Sequence, residues 1–175
     1  MDNTKGKALV ITDLQNDFVS GVFANNKAKE LVPKIVDKIN KFDGKKIFLV
    51  MDIHFKEIYK DCSESKFGYP FHCEAMEDGW KLVPEIEEAI KDKEYEKVET
   101  STFGYSYWNE CFDGFESVEI CGLYTNEAVI ANAYCIRSVY PNIDIRILQD
   151  LCIGKREKLH NEALDILGSS DYTIE

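Results

Sequence analysis

The sequence predicts a single α/β domain over residues 1–175, built on a parallel sheet of about six strands with helices on both faces. Short apolar runs alternate along the chain with longer segments whose apolar residues recur at helical spacing. This alternation is typical of parallel strands joined by right-handed helical crossovers. The chain shows no repeat, low-complexity tract or linker, and 175 residues suit one domain with a full core.

The first elements follow the order strand, helix, strand. The apolar run 8–14 predicts a buried strand, and residues 28–42 predict a helix because apolar side chains recur every three or four positions between lysines and acids. The run 47–55 predicts the second strand. The same two patterns then predict helices at 82–91, 104–112, 125–139 and 157–167, and strands at 95–99, 117–123, 144–151 and 172–174.

Residues 56–80 have no clear period but contain several aromatic residues and one histidine. A loop of this length in a compact domain is usually functional or disordered. The aromatic content favours a functional loop.

The composition of the chain limits which classes of partner it can bind and indicates its cellular compartment. The formal net charge of -11 argues against nucleic acid and anionic membranes, whose phosphates would repel the chain. No apolar run approaches 18 residues and the N-terminus is polar, so we expect no membrane span and no signal peptide. The six cysteines form no CxxC pair, and we interpret them as reduced thiols of a cytoplasmic protein.

The most informative motif is Asp52-Ile53-His54, followed by His72. Side chains alternate along a strand, so Asp52 and His54 should share one face near the carboxyl end of the second strand. Open α/β sheets bind their ligands at that edge. An aspartate and two histidines suit a catalytic Zn²⁺, Mn²⁺ or Fe²⁺. The alternative is a structural zinc knot made by His54, Cys62, His72 and Cys73, which would leave Asp52 unused.

Two further charged residues have a functional and a structural interpretation. Asp13 ends the first strand and would point into the crevice at the sheet edge, or it is an ordinary turn residue. Lys97 is a surface charge unless its strand lies beside the first one, which would bring it towards Asp13.

Residues 122–129 join a strand to a helix, with Thr125 as the expected N-cap and Ala128 in the first turn. Free backbone N–H groups at such a turn can hold an oxyanion, and a cysteine there would have a lowered pKa. Alanine offers no such chemistry, so the turn alone predicts only a strand–helix junction.

Taken together, these motifs resemble the isochorismatase-like cysteine hydrolases, and among them the nicotinamidases. The resemblance runs over nearly the whole chain. Its motifs are Asp13-Leu14-Gln15-Asn16-Asp17-Phe18, Asp52-x-His54, Tyr69-Pro70-Phe71-His72-Cys73, Lys97 with Ser101-Thr102-Phe103, 122–127, and 160–164.

The resemblance implies a Rossmann-like sheet and a triad of Asp13 as general base, Lys97 as its charge partner and a thiolate at position 128. Attack on a carboxamide would release ammonia and leave a thioester for water to resolve. The family loop carries a cis peptide bond, which here falls at Leu123–Tyr124, and backbone N–H groups near 124 and 128 would hold the oxyanion.

The resemblance also implies a ligand site. One divalent metal, with zinc favoured over manganese or iron, would be held by Asp52, His54 and His72, with Glu64 as an additional candidate ligand. This metal would bind the ring nitrogen of nicotinamide. Phe18 and Tyr69 would sandwich the ring, and Leu123 and Tyr124 would complete the pocket. Family members are often oligomeric, so a homo-oligomer is compatible with the resemblance.

Position 128 departs from the family, because this chain has alanine where the hydrolases have cysteine. We interpret the alanine as an engineered inactivation of a nicotinamidase, with a natural non-hydrolytic member as the competing explanation. Two other functions stay open: a hydrolase of another small amide, and a pseudoenzyme that binds a ligand without turnover.

Overall fold

The computed structural model describes residues 6–175, and its centre is a six-stranded parallel sheet with helices on both faces. The predicted fold class is therefore confirmed. Residues 1–5 lie outside the described residues. They include the start of the predicted domain and part of the polar N-terminus from which we expected no signal peptide. Among the described residues, no helix is long and apolar enough to cross a membrane.

The strands follow the spatial order β3-β2-β1-β4-β5-β6. Their bounds are β1 Gly6–Thr12, β2 Lys46–Asp52, β3 Tyr95–Thr100, β4 Phe115–Leu123, β5 Asp144–Ile153 and β6 Thr173–Ile174. The helices are α1 Asn16–Val19, α2 Asn26–Lys41, α3 Ser63–Phe67, α4 Pro84–Ile90, α5 Ile130–Val139 and α6 Glu157–Gly168. A 3₁₀ turn spans Tyr59–Asp61, and a π-helical turn spans Thr125–Val129 immediately before α5.

Helix α2 shows how the apolar pattern builds the core. Asn25 caps its N-terminus, because the side chain accepts the N–H of Lys27 at 2.9 Å. The residues on its inner face are buried in the main core cluster with the strand residues: Ala28, Leu31, Val32, Ile35 and Ile39. Burial of this stripe, rather than helix propensity, supplies most of the stability of such a helix.

The strand order changes direction at β1, which pairs with β2 on one side and with β4 on the other. The two strands approach closely at the end of β4, because a Cβ on Gly122 would lie 2.3 Å from the carbonyl oxygen of Thr12. Gly122 also has a φ of 120°, which favours glycine. The Thr12 hydroxyl donates to the carbonyl of Leu123 at 2.9 Å. A crevice at the carboxyl ends of the strands opens at such a switch point, and the residues after β1, β2 and β4 border it.

The predicted helix at 104–112 is wrong, because this segment consists of bends and turns. Trp108 and Phe112 nevertheless lie in the core, which explains the helical spacing of their positions. The segment is held by α5 instead of by its own backbone: the side-chain oxygen of Asn132 accepts the Tyr105 N–H at 3.0 Å and the Trp108 indole N–H at 3.2 Å. Tertiary hydrogen bonds thus replace the ladder of a helix.

Candidate functional site

Four buried side chains meet at the end of β2. They are Asp52, the last residue of β2, His54 two residues later, Glu64 from α3 and His72 from the following loop. One ligand atom from each lies within 4.8 Å of all the others. The Nε2 of His72 is 2.8 Å from one Asp52 oxygen, and the Nε2 of His54 is 3.1 Å from the other. This group, the Asp-His-Glu-His cluster, can hold a metal ion and includes Glu64 as a full member.

The donor atoms fit a divalent metal. Within residues 6–175, the buried Asp52 Oδ1 and His54 Nε2 have no hydrogen-bond partner, since their 3.1 Å contact is poorly aligned for one. Nδ1 of His72 lies 2.8 Å from the carbonyl of Pro70, to which it can donate, leaving Nε2 free to accept a metal. Buried carboxylates and imidazoles without partners are costly, and a metal ion would satisfy them. Two imidazoles and two carboxylates suit Zn²⁺, Mn²⁺ or Fe²⁺.

The pKa values of His54 and Asp52 show that a metal would compete with a proton for the cluster. Burial lowers the pKa of His54, but the carboxylates of Asp52 and Glu64 outweigh burial and raise it to about 10. Burial likewise opposes ionisation of Asp52, and the two imidazoles outweigh it and lower its pKa. A metal bound to His54 would therefore have to displace a proton.

The segment 56–80 is ordered around the cluster, as its aromatic content predicted. Backbone hydrogen bonds tie His54 to this segment, from its N–H to Cys73 and from Ala75 to its carbonyl. Asp17 accepts the Cys73 N–H at 2.7 Å, so its carboxylate holds this segment in place. The zinc-knot alternative is not formed, because Cys62 and Cys73 lie outside the Asp-His-Glu-His cluster.

Gln15 supports the cluster from the loop after β1, and no sequence pattern indicated this role. Its side-chain amide donates to the backbone carbonyl of Asp52 at 2.8 Å, and its oxygen accepts the Asp52 N–H at 2.7 Å. These two bonds fix the backbone that carries the first metal ligand. Outer partners of this kind commonly tune a metal site.

Asp13 follows β1 and lies at the bottom of the crevice, where it is 8% exposed. Its φ of 55° is left-handed, a conformation that aspartate tolerates better than most residues. Its carboxylate has no hydrogen-bond or ion-pair partner among residues 6–175, although its N–H donates to Val50. Burial, followed by the charges of Asp52, Glu127 and Glu64, raises the pKa of Asp13 well above its usual value.

Lys97 is not brought to Asp13, which corrects the expected charge partnership. It lies on β3, which pairs with β2, so β2 separates it from β1. Its Nζ is 2.6 Å from Glu87 of α4, and the side chain is partly exposed. The condition for a catalytic role, a strand beside β1, is therefore not met.

Ala128 lies in the buried π-helical turn after β4. The peptide bond Leu123–Tyr124 is cis, as the family resemblance implies. Thr125 is not the N-cap, because Tyr124 occupies that position, and the Thr125 hydroxyl instead lies 2.7 Å from Nδ1 of His160. His160 thus ties α6 to the turn after β4. The oxyanion role of the backbone near 124 and 128 stays a prediction.

Three residues that the sequence did not indicate surround Tyr69: Phe23, Glu127 and Lys155. The ring of Phe23 stacks on Phe18 with centroids 5.4 Å apart. Glu127 accepts the hydroxyl of Tyr69 at 2.7 Å and lies 3.1 Å from the ammonium of Lys155, which also sits 3.7 Å from the centre of the Tyr69 ring. Tyr69 therefore lies between a carboxylate and a cation.

Asp13 and part of the Asp-His-Glu-His cluster line a cavity of about 10 Å³, room for roughly one water. Its lining consists of Asp13, Phe18, Asp52, Glu64, Tyr69, His72, Thr102, Phe103 and Glu127. A second cavity of about 250 Å³ shares Glu64, Tyr69 and Phe103 with it. Larger clefts border α2, but they contain none of the cluster residues or Asp13. The two neighbouring cavities, which share these three lining residues, therefore form the candidate ligand site.

Fold and site together define a parallel α/β protein whose switch point carries a buried side-chain cluster that can hold a metal ion. Residues 7–170 match the Isochorismatase domain family, so the chain belongs to the isochorismatase family. The comparison with curated proteins gives no significant match.

Solved structures with the same fold include amide hydrolases. The nicotinamidase from Bacillus subtilis has a TM-score of 0.82 at 20% identity, covering 96% of this chain and 98% of its own. The pyrazinamidase of Pyrococcus horikoshii in complex with zinc has a TM-score of 0.79 at 22% identity, with coverage of 97% and 98%. PnC1 from L. infantum, in complex with nicotinate, reaches 0.84 at 16% identity, with coverage of 99% and 93%.

Proposed function

We propose that this chain is a nicotinamidase-type protein that binds a small flat carboxamide such as nicotinamide through a divalent metal, with zinc favoured, but forms no thioester. The observation that carries the proposal is the buried Asp-His-Glu-His cluster. Three of its four members line the same cavity as Asp13. The cavity thus has the proposed metal ligands at one end and the Asp13 carboxyl, which can form a hydrogen bond, at the other. Such a cavity suits a ligand with a polar group at each end.

The roles of the chain's own residues follow from this arrangement. Asp52, His54, Glu64 and His72 would hold the metal, which when bound supplies a Lewis acid for a ring nitrogen. Phe18 and Tyr69 flank the cavity with aromatic surface, and Asp13 accepts a hydrogen bond from the far end of the ligand. Because the cavity holds about 10 Å³, Tyr69 and Phe103 must shift to join it to the neighbouring 250 Å³ cavity.

Two departures from the family pattern argue against turnover. Ala128 provides no nucleophile, and Lys97 pairs with Glu87 on the far side of β2. An engineered Cys→Ala replacement would explain only the first departure. The second supports a natural non-hydrolytic member, so we now favour the pseudoenzyme over engineering.

A hydrolase of another small amide is the second candidate. An acidic amide such as a maleamate would call for an arginine or lysine in the pocket. Among the described residues, the cavity lining contains neither. This lining favours nicotinamide over an acid. A homo-oligomer and a cytoplasmic location stay predictions.

Calorimetric titration of the zinc-loaded protein with nicotinamide tests the proposal. We expect saturable binding to one site, lost when a chelator removes zinc. The variant Asp92→Asn, a charge change at an exposed position between α4 and β3, should bind as the unaltered chain does. Zinc uptake without any nicotinamide binding would refute the ligand assignment.

A further inference from the structure

The ligand site contains one charge that nothing in the described part of the protein balances. Asp13 is more than nine-tenths buried and lines the small cavity, yet within residues 6–175 its carboxylate has no hydrogen-bond or ion-pair partner. A buried carboxylate without a partner is strongly unfavourable. Burial accordingly raises the pKa of Asp13 well above its usual value, so the carboxyl ionises readily only when a cation enters the cavity that it lines.

The other charges around the cavity are already matched. Glu127 has both Lys155 at 3.1 Å and the Tyr69 hydroxyl at 2.7 Å. Asp52 and Glu64 belong to the Asp-His-Glu-His cluster, where their two negative charges would balance the two positive charges of a divalent ion. With these pairs formed, Asp13 is the one acid of the cavity lining without a partner among residues 6–175, and its ionised form needs an added cation.

Both candidate lysines are engaged elsewhere. Lys155 contacts Glu127 and the ring of Tyr69, and Lys97 contacts Glu87 across the outer side of β2. Neither is within ion-pair distance of Asp13. Residues 6–175 thus lack, beside this aspartate, the cation that the family resemblance placed there.

We infer that the natural ligand supplies that cation: it is a flat heterocycle with a metal-binding ring nitrogen at one end and an amidinium or ammonium group at the other, held by Asp13. A cationic N–H donor forms a charge-assisted hydrogen bond to a carboxylate. A neutral carboxamide binds more weakly, and a carboxylate such as nicotinate is repelled. This inference rests on the proposed metal-dependent ligand site and specifies its ligand class.

Three probes of one shape test the inference on the zinc-loaded full chain: 3-pyridinecarboxamidine, nicotinamide and nicotinate. They differ chiefly in the charge of the group opposite the ring nitrogen. We expect the amidine to bind at least about tenfold more tightly than nicotinamide, about 1.4 kcal/mol, with nicotinate weakest. Asp13→Asn should reduce the preference for the amidine to near unity, whereas the matched surface variant Asp92→Asn should keep it.

A second variant covers the case in which Asp13→Asn fails to fold. Glu127→Gln leaves the Lys155 charge unmatched at the cavity, so it should weaken amidine binding and strengthen nicotinate binding. If nicotinamide binds and the amidine binds no more tightly, the inference is overturned while the proposed function stands. If the preference persists in Asp13→Asn, the inference is also overturned. If none of the probes binds to the zinc-loaded protein, the proposed function itself fails.

Discussion

The β2 side and the β4 side of the cavity differ in how many of the side chains expected from the family resemblance they contain. On the β2 side, two carboxylates and two imidazoles meet within 4.8 Å, and Gln15 fixes the backbone of the first ligand. On the β4 side, position 128 is an alanine. The lysine expected near Asp13 lies beyond β2 instead, on β3, where it pairs with Glu87. This difference is what the proposed function, ligand binding without bond cleavage, requires.

The energetics support this interpretation of the two sides. Burying a cluster of carboxylates and imidazoles without a metal is costly, so the complete donor set indicates a site that is used. A buried alanine costs nothing at the position of a nucleophile. The described residues thus hold a complete set of candidate metal-ligand atoms on the β2 side, and position 128 on the β4 side carries no nucleophilic side chain.

The largest expected effect is on metal binding by the β2 side. Replacement of His72 by alanine should lower zinc affinity by more than about 100-fold, since losing even an outer partner of a metal ligand costs up to about 100-fold. Competition with a chromogenic chelator measures the affinity. His160→Ala removes the one histidine outside the cluster and should leave zinc affinity unchanged. Equal losses in both variants would mean that the cluster is not the zinc site.

The metal side was the more predictable of the two, for a physical reason. The motif Asp52-x-His54 fixes two ligands through the period of a strand, and the aromatic loop 56–80 indicated the third at His72. Glu64 could be proposed as a ligand only through the family resemblance. Gln15 could not be found, because its bonds to Asp52 join two segments far apart in the sequence.

The β4 side could not be predicted to the same depth, because it depends on strand order. The alternation of strands and helices predicts a parallel sheet but not which strand lies beside β1. Lys97 therefore fits the motif in sequence and misses the site in space. The contacts of Glu127 with Tyr69 and Lys155 likewise join three separate segments, and no local pattern marks them.

The next effect concerns turnover on the β4 side. We expect Ala128→Cys alone to release little ammonia from nicotinamide, because no cation of the described residues stands beside Asp13. Adding Thr102→Lys, at a position that lines the cavity with Asp13, should raise the rate by about 100-fold, the lower range for a positioned acid–base group. Ammonia release by the zinc-loaded variants is the measurement.

The pair Ala128→Ser with Thr102→Lys is the control for this experiment, because it carries the cation without the thiol. It should show no activity above the unaltered chain. If Ala128→Cys alone were as fast as the double variant, the missing lysine would have no functional meaning. The chain would then be a nicotinamidase disabled at one position.

The smallest expected effect is on the free energy of unfolding. It reports on the burial of Asp13 without any bound ligand. Burial raises the pKa of Asp13 in the folded protein well above its ordinary value of 3.8. Between those two pKa values the folded chain keeps a proton that the unfolded chain has lost, so stability falls as pH rises through that window. The free energy of unfolding decreases there by about 1.4 kcal/mol for each pH unit. Asp13→Asn should therefore be more stable than the unaltered chain at pH 7, and its advantage should disappear below the ordinary pKa of aspartate.

Chemical denaturation across pH, in the presence of a chelator, measures this difference, with Asp92→Asn as the matched exposed change. Zinc should reduce the advantage of Asp13→Asn, because a bound cation offsets the charges of Asp52 and Glu64 that contribute to the raised pKa. An advantage independent of pH would attribute the effect to packing at position 13. A loss of stability at neutral pH would show that the Asp13 carboxylate has a partner in solution. Asp13 would then no longer count as an unpaired group of the cavity.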